Sequence, residues 1–222
     1  MTGPTPHSVA ELKDFFSHLD LQRAEHLVQK REQDRKSAPY FSVLRFMQVD
    51  ENLLSDMLAF LLDPNESHGQ RELFLKLFVK HIGWQKNAAW GDASVAREAR
   101  TFAIAAHRRR IDILITAPNV SLAIENKTGT EDSEGQILDY LTHLKKTCDG
   151  DFCLIFLTPD GKPPERLAAT EEEALRAVGS LRLLSYARDI RAWLTDCQKE
   201  CDAESVRLLL RNLATHIETH LT

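Results

Sequence analysis

The sequence predicts an α/β fold in which helices flank a central mixed sheet of four to five strands, with further helices at both ends of the chain. Three strand-like segments follow one another between residues 94 and 126. A segment with apolar residues at helical spacing comes next and leads into the apolar run "DFCLIFLTP", which is typical of a buried strand. Because a helix between two strands usually connects parallel neighbours, we expect the sheet to be mixed.

Helical patterns dominate the first part of the chain. From Val9 to about Lys36 the apolar residues have helical spacing and no Gly or Pro intervenes, which predicts one or two helices. Residues 51–83 predict a helical hairpin with a turn at residues 63–69, and Gly83 ends its second helix.

The three strands predicted next form an antiparallel meander over residues 94–105, 110–117 and 121–126, and a short turn joins the last two. Residues 131–147 then predict a helix. Three acidic residues lie in or near its first turn, where the helix dipole favours anions: Glu131, Asp132 and Glu134.

The remainder of the chain begins with a polar excursion over residues 160–177, which is expected to be partly helical from Thr170 onward. A short strand over residues 181–186 follows. Two helices, over residues 187–200 and 203–221, complete the prediction.

Composition restricts the class of protein. The 222 residues carry a formal net charge of -5, so the chain does not coat nucleic acid by bulk charge, although a local basic patch remains open. No apolar run approaches the roughly 20 residues that span a bilayer, and the first residues lack the features of a signal peptide. We therefore expect a soluble cytoplasmic protein with no membrane partner. The four cysteines lack the spacing of a zinc site.

Charged residues interrupt two of the predicted strands. Side chains alternate between the faces of a strand, so the isoleucines of the second strand are expected to share one face: Ile111, Ile113 and Ile115. Asp112 lies on the opposite face. On the next strand Glu125 and Lys127 point the same way as each other, and Asp112 can join them if the two strands are neighbours.

Two carboxylates near a core repel each other unless a cation lies between them. Oxygen ligands suit Mg²⁺ or Mn²⁺, which keep several waters and also bind phosphate oxygens. A lysine beside such an ion can orient a water or neutralise charge on phosphorus. These parts fit hydrolysis of a phosphodiester. Spacing alone leaves a solvated hairpin edge, with these residues exposed or paired as salt bridges, equally open.

Four sequence blocks decide between these two interpretations. They are "ENLLSDMLAFLLDPNESHGQRELFLKLF", "RRRIDILI", "LAIENKTGTEDSEGQILDYL" and "LLSYARDIRAWL". In order, they resemble the blocks of a bacterial family in the PD-(D/E)XK nuclease superfamily whose members often carry LLDPN..HG, RIDI, IENK and Q..Y motifs; the IENK and Q..Y motifs both match the third segment. The resemblance runs from about residue 50 to 195 and implies a restriction-endonuclease-like core. It divides the chain into an N-terminal helical extension, residues 1–50, and a nuclease-like domain, residues 51–222.

The resemblance also implies roles for individual residues. Asp112 and Glu125 match the metal ligands, and Lys127 matches the catalytic lysine. Glu51 matches an acid placed near the metal, with a helix N-terminal charge as the alternative. Glu98 matches a further catalytic acid, with a salt bridge to a neighbouring arginine, Arg97 or Arg100, as the alternative.

Gln136 and Tyr140 match the Q..Y element, which lines the site or contacts substrate in such enzymes; the alternative is a polar flank on a core-facing helix. Relatives often have a further glutamine near Ser133, so its absence here bears on substrate contacts. Basic residues outnumber acids around the predicted site, as a phosphate backbone requires: Arg97, Arg100, Arg108, Arg109, Arg110 and Lys127. We expect Arg109 and Arg110 to contact nucleic acid.

The resemblance therefore predicts a nuclease that uses Mg²⁺ or Mn²⁺ and water to cleave DNA, with RNA as the other substrate class. The alternative is a catalytically silent nuclease-fold subunit that binds nucleic acid or proteins within a defence or repair assembly. The resemblance also implies the family's association with phage defence. Whether the chain forms a homodimer or joins another subunit is left open by the sequence.

Overall fold

A computed structural model describes residues 9–39, 41–84, 86, 88–101, 109–129 and 132–221. The chain divides into two compact units, Met1–Phe41 and Ser42–Thr222. In the first unit the predicted helical segment forms one helix, α1, over Val9–Ser37. The end of the first predicted strand, residues 102–105, lies outside the described residues, as does Arg108.

The second unit contains the helices and strands that position the site. Its α-helices within the described ranges are α2 Glu51–Leu62, α3 Leu73–His81, α4 Gln136–Thr147, α5 Ala169–Ala177, α6 Arg191–Glu200 and α7 Glu204–His220. Its strands are β1 Ser94–Arg100, β2 Arg110–Ala117, β3 Val120–Asn126, β4 Asp151–Thr158 and β5 Leu181–Ser185. A π-helical turn, Tyr186–Ile190, connects β5 to α6. None of the helices in this described part of the chain is long and apolar enough to cross a membrane.

The five strands form one mixed sheet in the order β1-β2-β3-β4-β5. The first three are antiparallel neighbours, whereas β4 is parallel to β3 and β5 is parallel to β4. Helix α4 connects β3 to β4, as expected for parallel neighbours. The predicted α/β fold with a mixed sheet is therefore confirmed.

Two apolar clusters pack against the sheet. The larger one contains buried side chains from α2, α3, α6 and α7, and the smaller one contains the apolar face of α4. Strand β3 contributes to both, and all seven of its residues are buried. The residues at its carboxyl end are therefore held by the core on both sides.

The side chains of β2 do not keep one alternation along the whole strand. Ile113 and Ile115 pack in the larger cluster, whereas Ile111 packs in the smaller one. The prediction that all three share a face is therefore wrong for Ile111. The register pairs of β1 and β2 skip Glu98 and Asp112, and Glu98 has a left-handed φ of 49°. This local break in the pleat changes the face on which the side chains lie.

Helix α4 begins five residues later than predicted, at Gln136, after Gly135 with a left-handed φ of 70°. Asp132 lies before the helix, and its carboxylate accepts hydrogen bonds from the backbone N–H groups of Glu165 and Arg166 at 2.9 and 3.1 Å. It thereby ties the loop after β3 to the polar excursion after β4. Glu131 lies outside the described residues.

Candidate metal and phosphodiester site

The candidate site lies where β2 and β3 separate. Their register pairs run from Ala117 opposite Val120 to Ile113 opposite Ile124. Beyond that point the backbone N–H of Asn126 donates to Oδ2 of Asp112 at 2.8 Å. The carboxylate of Asp112 is therefore anchored to the end of β3.

Glu125 is the most unusual side chain of the site because it is only 2% exposed. Its Oε1 accepts hydrogen bonds from Nε2 of Gln136 at 2.5 Å and from Nζ of Lys127 at 3.1 Å. Its Oε2 is buried and finds no hydrogen-bond donor among the described residues. A buried carboxylate oxygen without a donor is costly, so this atom has the environment expected of a ligand for a cation.

The charges of the site perturb one another. Burial, and secondly the charge of Asp112, raise the pKa of Glu125 to about 7. Burial also raises the pKa of Asp112, against the lowering effect of the bond from the Asn126 amide. Burial alone would lower the pKa of Lys127, but the charges of Glu125, Glu51 and Asp112 raise it above its ordinary value. A cation between the carboxylates would relieve their mutual cost.

Glu51 lies beside Asp112 and Lys127, at the first position of α2. The carboxylate of Asp50 caps that helix by accepting from the N–H of Leu53 at 2.9 Å. Oε2 of Glu51 accepts from the backbone N–H of Thr128 at 2.9 Å, and the Glu51 charge acts on both Asp112 and Lys127. Glu51 therefore joins the loop after β3 to α2.

The carboxylate oxygens of the site suit an ion that binds few protein atoms and completes its coordination with water. Among the described residues, no group of three or more His, Cys, Asp and Glu side chains is arranged to hold a metal ion. Mg²⁺ usually binds through one or two carboxylates and keeps several waters. Asp112 and Glu125 fit that requirement, since one buried oxygen of Glu125 accepts no hydrogen bond from the residues that the structure describes.

Gln136 and Tyr140 form a support for Glu125 on α4. Nε2 of Gln136 donates to Glu125 and lies 2.9 Å from the Tyr140 hydroxyl, while its Oε1 accepts from the N–H of Ser133 at 3.0 Å. The Tyr140 hydroxyl donates to the backbone carbonyl of Arg110 at 2.6 Å. Because Tyr140 is only 1% exposed, this placement favours orientation of Glu125 over contact with substrate.

The other predicted site residues are not brought into contact with the carboxylate pair. Glu98 forms an ion pair with Arg110 at 2.9 Å, and both side chains are exposed. Arg109 is mostly buried and bonds Asp139 at 2.6 Å and the carbonyl of Glu134 at 2.5 Å. The catalytic role of Glu98 and the nucleic-acid contacts of Arg109 and Arg110 stay predictions.

Arg97 has a role that the sequence did not reveal. Its guanidinium donates to the carboxylate of Asp56 at 2.6 Å, to the carbonyl of Asn52 at 3.4 Å and to the backbone carbonyl of Asp112. It thus fastens α2 to the strand that carries Asp112. In the sequence, Arg97 appeared only as one of several cations near the site and as a partner for Glu98.

A cleft of about 440 Å³ opens beside Lys127, at the carboxyl ends of β3 and β4. Its lining residues come from the loop after β3, the end of β4 and the excursion that Asp132 ties down: Lys127, Thr128, Gly129, Asp132, Phe156, Thr158, Pro159, Asp160, Lys162, Pro163 and Glu165. A chain bound next to Lys127 would therefore meet a preformed depression rather than a flat surface.

Comparison with known proteins agrees with this geometry. A sequence model described as the PD-(D/E)XK nuclease superfamily matches residues 40–213. A search of the curated proteins found no match, and a search of the solved structures found none. The matched range includes Asp112, Glu125 and Lys127 and all five strands. The chain therefore belongs to the PD-(D/E)XK nuclease superfamily.

Proposed function

We propose that this chain is a nuclease that hydrolyses phosphodiester bonds in DNA, with water as the nucleophile and Mg²⁺ or Mn²⁺ as cofactor. One observation carries the proposal: one oxygen of the buried Glu125 carboxylate has no donor in the described part of the chain, and it lies beside the charge of Asp112 and the ammonium of Lys127. Three interacting charges inside a core are costly to fold, which is the pattern expected of a functional site.

Asp112 and Glu125 would hold the ion, with Glu51 close enough to influence it electrostatically. When bound, the ion would supply a water of lowered pKa and positive charge beside the phosphate. Gln136 and Tyr140 keep the Glu125 carboxylate in one orientation. The Asn126 amide does the same for Asp112.

Lys127 has a separate part in the proposed chemistry. Its raised pKa keeps the ammonium protonated near neutral pH. Nζ is held 3.1 Å from Glu125, at the edge of the cleft. A fixed positive charge there stabilises the negative charge that builds on phosphate oxygens during attack.

The silent-subunit alternative is less well supported. A protein that only binds nucleic acid gains nothing from a buried, destabilising carboxylate, because phosphate contacts require surface cations. The exposed Arg110 is one such cation. DNA as substrate, a role in phage defence and a domain boundary at residue 50 rest on the family resemblance, and a cytoplasmic location stays an expectation from the sequence.

The proposal is tested by incubating the purified chain with plasmid, linear double-stranded and single-stranded DNA, and with RNA, each with Mg²⁺, Mn²⁺ or EDTA. We expect cleavage of DNA that requires the metal. Glu125→Ala and Lys127→Ala should each lower the cleavage rate at least about 100-fold, because one removes a metal ligand and the other removes charge stabilisation. Circular dichroism of each variant checks that it is folded.

Two results would contradict the proposal. One is a wild-type chain that cleaves none of these substrates with either metal. The other is cleavage by the two variants at the wild-type rate, which would identify a contaminating nuclease.

A further inference from the structure

We propose that Asn126, the residue between Glu125 and Lys127, sets the spacing of the metal-binding carboxylates, and that Tyr186 holds Asn126 in place. The inference rests on the proposed function, because it assigns positioning residues to the same site. Asn126 and Tyr186 are both 0% exposed. They therefore act through other side chains and not by contact with substrate.

The main chain of Asn126 relates the two carboxylates directly. Asn126 follows Glu125 through a peptide bond, and its own N–H donates to Oδ2 of Asp112 at 2.8 Å. On the other side of the strand, the N–H of Lys127 donates to the carbonyl of Leu157 at 2.8 Å. A shift of Asn126 would therefore change the distance between Asp112 and Glu125.

The side chain of Asn126 joins this strand end to α2. Its Nδ2 donates to the carbonyl of Glu51 at 3.1 Å and to Oγ of Ser55 at 2.9 Å. Both amide hydrogens therefore have acceptors in the first turns of the helix that carries Glu51. Side chain and main chain together connect Asn126 to Asp112, Glu125 and Glu51.

Tyr186 completes the arrangement from a distant part of the chain. It is the first residue of the π-helical turn after β5, and its hydroxyl donates to Oδ1 of Asn126 at 2.9 Å across a sequence separation of 60. Its ring lies in the larger apolar cluster, which fixes where the hydroxyl points. A buried polar network in which each arm has a partner favours one geometry over its alternatives.

A fixed spacing has a consequence for the choice of ion. Mg²⁺ requires near-ideal octahedral geometry, whereas Ca²⁺ accepts flexible coordination at longer distances. A site that Asn126 holds at one spacing should favour the ion that requires a strict geometry. Loss of the network should therefore weaken binding of Mg²⁺ and Mn²⁺ more than binding of Ca²⁺.

The experiment compares Asn126→Ala and Tyr186→Phe with a matched control, Asn212→Ala. Asn212 is also a buried asparagine, 1% exposed, and its side chain accepts from the N–H of Val43 at 3.1 Å and donates to the carbonyl of Leu208 at 2.7 Å. Asn212→Ala removes the same side-chain atoms as Asn126→Ala, from a similarly buried position on α7. Mn²⁺ binding is measured by electron paramagnetic resonance without nucleic acid, with Mg²⁺ and Ca²⁺ as competitors.

We expect Asn126→Ala to lower Mn²⁺ affinity about 10- to 100-fold and Tyr186→Phe to lower it about tenfold, as for other residues that orient metal ligands. The preference for Mg²⁺ over Ca²⁺ should narrow in both variants. Asn212→Ala should lower thermal stability but leave Mn²⁺ affinity within about twofold of the wild type.

Equal Mn²⁺ affinities in Tyr186→Phe and the wild type would overturn the inference, even if Asn126→Ala failed to fold. So would equal losses of affinity in Asn126→Ala and Asn212→Ala. If the wild type binds Mn²⁺ and cleaves DNA, and the variants bind Mn²⁺ with the wild-type affinity, this inference fails while the proposed function stands. Wild-type protein that binds no Mn²⁺ would overturn the proposed function and this inference together.

Discussion

The two ends of the β2–β3 pair differ in how their polar groups are hydrogen bonded. At the turn end Ala117 pairs with Val120, both are buried, and the carbonyl of Asn119 accepts the N–H of Asp151 at 3.0 Å. At the open end the ladder is replaced by side-chain bonds, and a buried carboxylate oxygen of Glu125 has no donor among the described residues. The turn end has the packing and hydrogen bonding expected of a stable structure. The open end, where we propose the chemistry, departs from that pattern.

The largest expected effect is a difference in cleavage rate between variants at the two ends. Asp112→Asn should lower the rate of metal-dependent DNA cleavage at least about 100-fold, because it removes a ligand charge while preserving the side-chain size. Thr116→Asn, an exposed position near the turn end of the same strand, should leave the rate within about twofold. Initial rates at saturating Mn²⁺ measure both. Equal rates in the two variants would remove the functional distinction between the ends.

A smaller effect concerns the free energy of unfolding without metal. The pKa of Glu125 rises from 4.5 to about 7 on folding, mainly through burial and then through Asp112. A raised carboxyl pKa destabilises the folded state as pH rises from the unfolded value through the folded value, here by about 3 kcal/mol. Below about pH 4.5 this cost is absent, and above about pH 7 it is complete.

Glu125→Gln should therefore flatten the pH dependence of stability and stabilise the metal-free protein above about pH 7 while abolishing cleavage. Urea unfolding in EDTA at several pH values between about 5 and 8 measures the change. Parallel curves for the variant and the wild type would show that Glu125 is not the group responsible. Titrating groups remote from Glu125 contribute equally to both proteins and cancel in the comparison, whereas Asp112 and Lys127 interact with Glu125 and form part of the measured difference.

The smallest effect tests the turn end. A Cβ atom on Gly150 would lie 2.0 Å from the backbone carbonyl oxygen of Asn119. Gly150→Ala should therefore lower the free energy of unfolding by about 1–3 kcal/mol without changing Mn²⁺ affinity. Gly91→Ala is the control, because its Cβ would approach only the Glu72 side chain, at 3.6 Å. A loss of Mn²⁺ affinity in Gly150→Ala would show that the two ends are coupled.

Features that depend on neighbours in the sequence could be predicted. The turn between α2 and α3 was one of them, and the side chain of His68 bonds to the backbone of that turn. Its Nε2 lies 2.9 Å from the carbonyl of Asp63, and its Nδ1 accepts from the N–H of Gln70 at 3.0 Å. The order of strands and helices was likewise predictable, because hydrophobic period and turn residues are local signals.

Features that depend on distant partners could not be predicted. Asn126 stands in the IENK block, but nothing in the sequence reveals its role, because its partners come from α2 and from Tyr186. The change of face at Ile111 depends on the left-handed backbone of Glu98 in another strand. The sequence could not show that Gln136 supports Glu125, because this contact depends on where α4 begins.

The central position of β3 has a consequence for the stability of the site against local unfolding. A strand with neighbours on both sides, covered by an apolar cluster on each face, exchanges its amide hydrogens only when most of the domain unfolds. The N–H groups of Asn126 and Lys127 are bonded in opposite directions, to Asp112 and to Leu157. The carboxylates of the site therefore belong to the part of the molecule that opens last.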